Sequence, residues 1–146
     1  MCSTTRSTIK FLDYLELCRA SNLPTVWVSV LAAGLLSGGT FSLPKIFLLL
    51  LALSMMYCGG IAMNDCVDSA LDAVQRTSRP IPSGRVTVSQ GKSFYFSLFA
   101  FAMALFWAAG GLPTLVAGLF LLILVVTYNL SHNRTVLAVI TMAGCR

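Results

Sequence analysis

Apolar residues occur in this chain as long blocks separated by short polar stretches, and the blocks approach the ~20 residues that a membrane crossing needs. The first block runs from about Leu23 to Gly38 and is nearly free of charge. Pro24 suits the first turn of a helix, where the missing N–H is not needed. Gly34 and Gly38 form a small-xxx-small pair that would allow close helix packing. Ser37 to Pro44 predicts a turn. The second block, about Lys45 to Met63, continues into a polar extension. A long polar connection from about Ala73 to Ser93 follows. The third block is about Phe94 to Ala109, Gly110, Gly111 and Pro113 predict a tight hairpin, and the fourth block is about Thr114 to Tyr128. Asn129 to Arg134 is a second polar connection. A fifth apolar segment starts near Thr135 and stops at Arg146, leaving ~18 Å of helix against a ~30 Å hydrocarbon core. The pattern predicts an all-α, multi-span transmembrane bundle, with about four complete spans plus the start of a fifth, in a chain cut off in mid-element. Ile9 to Leu17 predicts a short interfacial helix leading in.

Composition supports lipid as the solvent. Of the 146 residues, 57% are hydrophobic and 10% are charged, whereas a soluble domain carries about 25% charged residues. The mean hydropathy is +0.83. The net charge of +5 arises from cations spread between apolar blocks, which points to membrane topology and away from nucleic acid. Arg6, Lys10 and Arg19 precede the first block. Arg76, Arg79, Arg85 and Lys92 lie between the second and third, and Arg134 lies beyond the fourth. The positive-inside rule therefore puts the N-terminus (1–21) and the 73–93 loop on the cytoplasmic side. The first twenty residues lack the apolar stretch of a cleavable signal peptide. The five cysteines, Cys2, Cys18, Cys58, Cys66 and Cys145, have no CxxC spacing and read as free thiols.

Candidate chemistry is concentrated at the end of the second block. Of five acidic residues in the chain, three are Asp65, Asp68 and Asp72. At helical offsets of 0, 3 and 7 they share one face, within about 60° of arc, and Asn64 adjoins it. Like charges this close to a membrane repel one another and need a positive partner. Oxygen-only donors suit a hard cation such as Mg²⁺, which typically bridges carboxylates to substrate phosphates. No His or Cys pattern points to zinc. Arg76, Arg79 and Arg85 follow, and arginine forks match phosphate oxygens. An acidic face beside an arginine-rich loop is what a metal–diphosphate site requires. The alternative is a solvated helix end whose acids pair with nearby arginines.

The run from Asn64 to Asp72 matches NDxxDxxxD and is followed by Arg76 and by Arg79-Pro80-Ile81-Pro82-Ser83-Gly84. This block resembles the first aspartate-rich motif and loop of the UbiA family of intramembrane prenyltransferases. Arg19-Ala20-Ser21-Asn22-Leu23-Pro24-Thr25-Val26-Trp27 resembles the entry into that family's first helix. The likeness covers essentially the whole chain, as the N-terminal half of the family pattern and so of a nine-helix fold. It implies Mg²⁺-dependent transfer of an isoprenyl group from a polyprenyl diphosphate to a lipophilic, often aromatic, acceptor. Asp65, Asp68 and Asp72 would hold the metal and carry catalysis. Asn64, Arg76, Arg79, Arg19 and Asn22 would bind the diphosphate.

Two features depart from that pattern. No acidic residue follows Asp72, so the family's second aspartate-rich motif is absent. The lysine the family often places after the tyrosine ending the fourth span is also missing, with His132 or Arg134 in its place. The chain alone is thus expected to be an inactive fragment. The competing readings are a non-catalytic membrane subunit, a small-molecule transporter, and a CDP-alcohol phosphotransferase. The last is disfavoured because Cys66 and Val67 alone separate Asp65 from Asp68.

Overall fold

The computed structural model describes residues 11–36 and 42–131. Residues 11–17 are helical and lead through a short 3₁₀ turn (Ala20–Asn22) into helix α1 (Leu23–Leu36). Helix α2 spans Leu43–Val67, α3 Ser69–Gln75, α4 Val88–Gly110 and α5 Leu112–Ser131. The described residues contain no strand. Three helices, Leu43–Val67, Val88–Gly110 and Leu112–Leu130, are long and apolar enough to cross a membrane. Helix α1, at 14 residues, reaches ~21 Å at 1.5 Å per residue and falls short by itself. The Ser37–Pro44 turn lies partly outside the described residues. Gly38, the fifth apolar segment, His132 and Arg134 lie wholly outside them.

Helix α4 packs through a single stripe. On α4 the buried residues are Gly91, Tyr95, Phe99, Ala102, Phe106 and Ala109, spaced three or four apart as a helix packing on one neighbour requires. They meet Ala52, Met56, Gly59, Ala62, Met63 and Cys66 of α2, and α2 against α4 is the most extensive helix pair. The opposite faces carry exposed Phe96, Phe101, Trp107, Phe120 and Ile123. Large apolar side chains pointing outward on several helices are what lipid, and not water, tolerates.

Several boundaries differ from the sequence expectation. Helix α4 starts at Val88, six residues before Phe94, because Thr87 caps it. Gln90 N–H donates to Thr87 Oγ1 at 3.2 Å, and Thr87 N–H donates to Gln90 Oε1 at 3.0 Å, a reciprocal capping box. The two ends of the polar connection therefore belong to α3 (through Gln75) and to the start of α4 (from Val88), and 76–87 remain as the loop between them. At the far end α5 continues through Asn129 to Ser131, where a polar connection was expected. The hairpin after α4 is as expected. Gly111 takes φ 68° and its N–H donates to Trp107 O at 2.8 Å, a conformation that favours glycine.

Of the expected Gly34/Gly38 pair only Gly34 is described, and the close packing seen among the described residues is at other glycines. A Cβ on Gly34 meets nothing within 4 Å, whereas a Cβ on Gly118 lies 2.5 Å from the Phe106 ring and one on Gly59 lies 2.6 Å from the Phe99 ring. Gly118→Val is therefore expected to cost about 1–3 kcal/mol through overpacking, and Gly34→Ala is expected to leave stability unchanged or slightly raised. Thermal melts of the two variants in detergent check this. Equal melting temperatures would contradict the packing described.

Among the described cysteines, Cys18, Cys58 and Cys66 are free, as expected. The neighbouring Cys58 and burial both push the Cys18 thiol up from its ordinary pKa.

Candidate active site

The acidic segment sits where α2 ends. The helix breaks at Asp68, which takes φ −82° and ψ 4° between α2 and α3, in the bridge region of backbone space. The one continuous helical face expected for the three aspartates is therefore interrupted. The hydrogen-bond spacing survives the break: Asp68 N–H donates to Asn64 O and Asp72 N–H to Asp68 O, each at 2.9 Å. Asp65 and Asp72 consequently still turn the same way, and both are only 4% exposed. Asp68 is half-buried and accepts from Asn64 Nδ2 at 3.1 Å.

Two arginines reach the buried pair. Arg79 Nη1 donates to Asp65 Oδ1 at 3.1 Å and also to Asp72 Oδ2. Arg19 Nη2 donates to Asp65 Oδ1 at 3.2 Å. Arg79 arrives there because the Pro80-Ile81-Pro82-Ser83-Gly84 loop is compact and pinned. Pro80 and Ile81 are buried, Val86 N–H donates to Pro80 O at 3.0 Å, and Gly84 takes φ 75°. Arg19 is held differently. It is the one non-glycine residue with positive φ among those described (φ 47°) and it caps the 3₁₀ turn. That left-handed conformation is costly for a side chain with a Cβ, and it turns the chain sharply between the 11–17 helix and α1.

The other expected site residues are less engaged. Arg76 is exposed, and its backbone N–H closes α3 by donating to Asp72 O at 2.8 Å. Asn22 is exposed and lines a shallow groove with Glu16 and Arg19. The structure thus brings Arg19, Asn64, Asp65, Asp68, Asp72 and Arg79 together, with Arg76 and Asn22 at the margin.

Below this rim, a cavity of about 480 Å³ opens between α1, α2 and α5. Arg19, Asn64 and Asn129 lie on its lining, along with Tyr57 and Tyr128, and its deeper wall is Leu53, Met56, Leu121 and Val125. This is the profile of a ligand pocket: mostly apolar walls with a few polar groups. Asn129 was not expected here. It is 3% exposed, and its Nδ2 donates to Val125 O at 2.9 Å and, more weakly, to Gly60 O at 3.4 Å. Its signal in the sequence was a polar amide closing an apolar span, a place where polar side chains are costly and usually have a task.

The acids do not form a metal cradle in this arrangement. Among the described residues, no three Asp, Glu, His or Cys side chains are grouped to hold a metal ion. The oxygen-only donor set suits a hard cation in its chemistry. In this arrangement Arg79 bridges Asp65 and Asp72 and Arg19 also reaches Asp65, so two of the three carboxylates are engaged by arginine.

The UbiA prenyltransferase family model matches residues 23–146. The chain is 31% identical over 120 residues to a digeranylgeranylglyceryl phosphate synthase of Sulfolobus acidocaldarius, covering 82% of this chain and 42% of that protein. It is 36% identical over 87 residues to a protein of the same name from Methanopyrus kandleri, covering 60% of this chain and 32% of that one. A solved structure described as a digeranylgeranylglyceryl phosphate synthase in membranes superposes with a TM-score of 0.76 at 24% identity, over 82% of this chain and 43% of its own. At that identity the superposition speaks for the fold. The chain spans less than half the length of these relatives. The family match over 23–146, together with the helical bundle and its arginine-bridged aspartates, shows that this integral membrane protein belongs to the UbiA prenyltransferase family.

Proposed function

We propose that the full-length product of this gene transfers an isoprenyl group from its diphosphate to a lipophilic acceptor, and that this chain carries the diphosphate-binding mouth and one side of the prenyl cavity. One observation carries the reading. A cluster of buried carboxylates and arginines adjoins a largely apolar cavity, whose lining it reaches through Arg19 and Asn64, so a charged head and a greasy tail can be held side by side. Arg19 and Arg79 would take up diphosphate oxygens, with exposed Arg76 adding charge at the entrance and Asn22 beside it. Asn64, Asp65, Asp68 and Asp72 lie beside these arginines, Asp65 and Asp72 in direct contact with them. With the arginines turned to the diphosphate, these acids would supply oxygen donors of the kind Mg²⁺ takes when it meets a diphosphate. The mouth is proposed to face the cytoplasm, as the cation distribution favours.

In the reaction, the bond between the prenyl C1 and the diphosphate oxygen breaks, and its electron pair leaves with the diphosphate. The acceptor's nucleophile forms a bond to C1 and gives up a proton. Arginines around the leaving group stabilise the charge that develops there. The apolar cavity keeps water from the allylic cation. The relatives' name, a synthase of digeranylgeranylglyceryl phosphate, supports a geranylgeranyl donor and a glyceryl phosphate hydroxyl as acceptor, in preference to an aromatic ring.

The test uses the full-length gene product with geranylgeranyl diphosphate and either geranylgeranylglyceryl phosphate or a phenolic acid. The expected result is an ether product from the first acceptor, abolished by chelating divalent ions. A prenylated ring with no ether would move the acceptor to the aromatic class. No consumption of the diphosphate with either acceptor would remove the proposed activity.

A further inference from the structure

Outside the rim, a third arginine is more heavily bonded than either arginine in it. Arg85 Nη1 donates to Asp13 Oδ1 at 2.6 Å and to Glu16 Oε2 at 2.8 Å. Its Nη2 donates to Glu16 Oε1 at 3.2 Å and to Ser78 O at 2.8 Å. Its Nε donates to Ser83 Oγ at 3.0 Å. A guanidinium has five N–H donors, so five acceptors saturate it. Arg85 therefore has no donor left for a phosphate. What it does hold is the 11–17 helix, gripped at two residues three apart on one helix face, against the loop that carries Arg79. Asp13 is 4% exposed, and a carboxylate buried that far needs its partner.

The grip ends three residues before Arg19. Between them lie Leu17, fully buried, and Cys18, also buried. Arg19 N–H donates to Glu16 O at 3.0 Å, and Glu16 and Arg19 line the same groove. Arg19 itself occupies a left-handed conformation that its own backbone disfavours. A strained residue keeps its geometry only when its surroundings enforce it, and here the enforcing contacts are the anchored helix on one side and Asp65 on the other.

We propose that Arg85 is a positioning residue for the diphosphate mouth, clamping Asp13 and Glu16 so that Arg19 is presented to the site beside Asp65. The inference rests on the proposed role of Arg19 in the mouth. It gives the 76–87 loop two tasks: Arg79 enters the site directly, and Arg85 fixes the opposite wall by tying down the segment that ends in Arg19.

The experiment is a double-mutant cycle on the full-length gene product in nanodiscs, reading the Kd for radiolabelled geranylgeranyl diphosphate with Mg²⁺. Arg19→Gln is expected to weaken binding about tenfold, the scale of one hydrogen bond to a charged group. Arg85→Gln and Glu16→Gln are each expected to weaken it by a similar factor. In the Arg19→Gln background, Arg85→Gln is expected to add less than about twofold, because coupled residues are non-additive. Glu16, more than half exposed, serves as the strap variant if Arg85→Gln does not fold. Full additivity of Arg85→Gln or Glu16→Gln with Arg19→Gln would overturn the proposal, as would a strap variant with wild-type affinity when Arg19→Gln is weakened. Wild-type affinity in Arg19→Gln would instead remove Arg19 from the mouth, and the strap's purpose with it.

Discussion

Asp68→Asn is expected to lower prenyl transfer by the full-length gene product by about 10²–10³-fold, the loss typical when one preorganised charge-stabilising group leaves a reaction centre. The melting temperature should change little. The amide has the shape of the carboxylate, and Asp68 is half-buried at a helix break, not in the packed α2–α4 seam. Its partner Asn64 Nδ2 at 3.1 Å still finds an oxygen on an asparagine. What disappears is a negative charge at the mouth, beside a pair of carboxylates already bridged by Arg79. If that charge serves to meet a cation brought in with the diphosphate, turnover depends on it and folding does not. Transfer at the wild-type rate by a well-folded Asp68→Asn protein would take Asp68 out of the site.

The spans were legible because a lipid-facing helix must be apolar over most of its surface, and a run of that length has few other meanings. The ends were harder to read. Phe94 opens the strongly apolar part of α4, but the helix starts at Val88, and its sign was the Thr87…Gln90 spacing of a capping box. Asn129 and Ser131 are polar, yet they continue α5, since hydrogen bonding within the helix does not stop where hydropathy does. Helix contacts depend on which faces meet. Gly34 and Gly59 look alike in sequence, and only the second faces an aromatic ring across an interface.

The site was legible in its residue types and less so in its pairings. Asn64, Asp65, Asp68, Asp72 and Arg79 lie within sixteen positions, and local helix geometry brings the acids round to one side. The break at Asp68 is invisible to periodicity because i to i−4 bonding continues across it. Arg19 comes from 46 residues away to reach Asp65, and Arg85 from 72 to reach Asp13. Nothing in the charge pattern distinguishes an arginine saturated by acids from one that enters the mouth. Tertiary packing decides that, and Arg76, Arg79 and Arg85 end in three different environments: exposed, bridging two buried carboxylates, and strapped to a distant helix.

Arg79→Gln should produce the largest loss of stability among substitutions at the rim. Asp65 and Asp72 share this one guanidinium, whose side chain is 19% exposed. Removing it leaves Asp72 buried without that cation and leaves Asp65 relying on Arg19. Breaking a buried pair from one side costs about 3–5 kcal/mol, and the surviving Arg19 contact puts the expected cost near 3 kcal/mol, a melting-temperature drop on the order of 10 °C. The cost should fall substantially in the double variant Arg79→Gln with Asp72→Asn, because the stranded charge is then absent and the two effects are coupled. Arg76→Gln is the contrast. Arg76 is exposed, so its loss should shift stability by no more than about 0.5 kcal/mol while still weakening diphosphate binding. Melting curves of the four proteins separate these cases. If Arg79→Gln melts like Arg76→Gln, the carboxylates do not depend on Arg79 for their charge balance, and the ion-pair network described at the end of α2 is not what holds this mouth in shape.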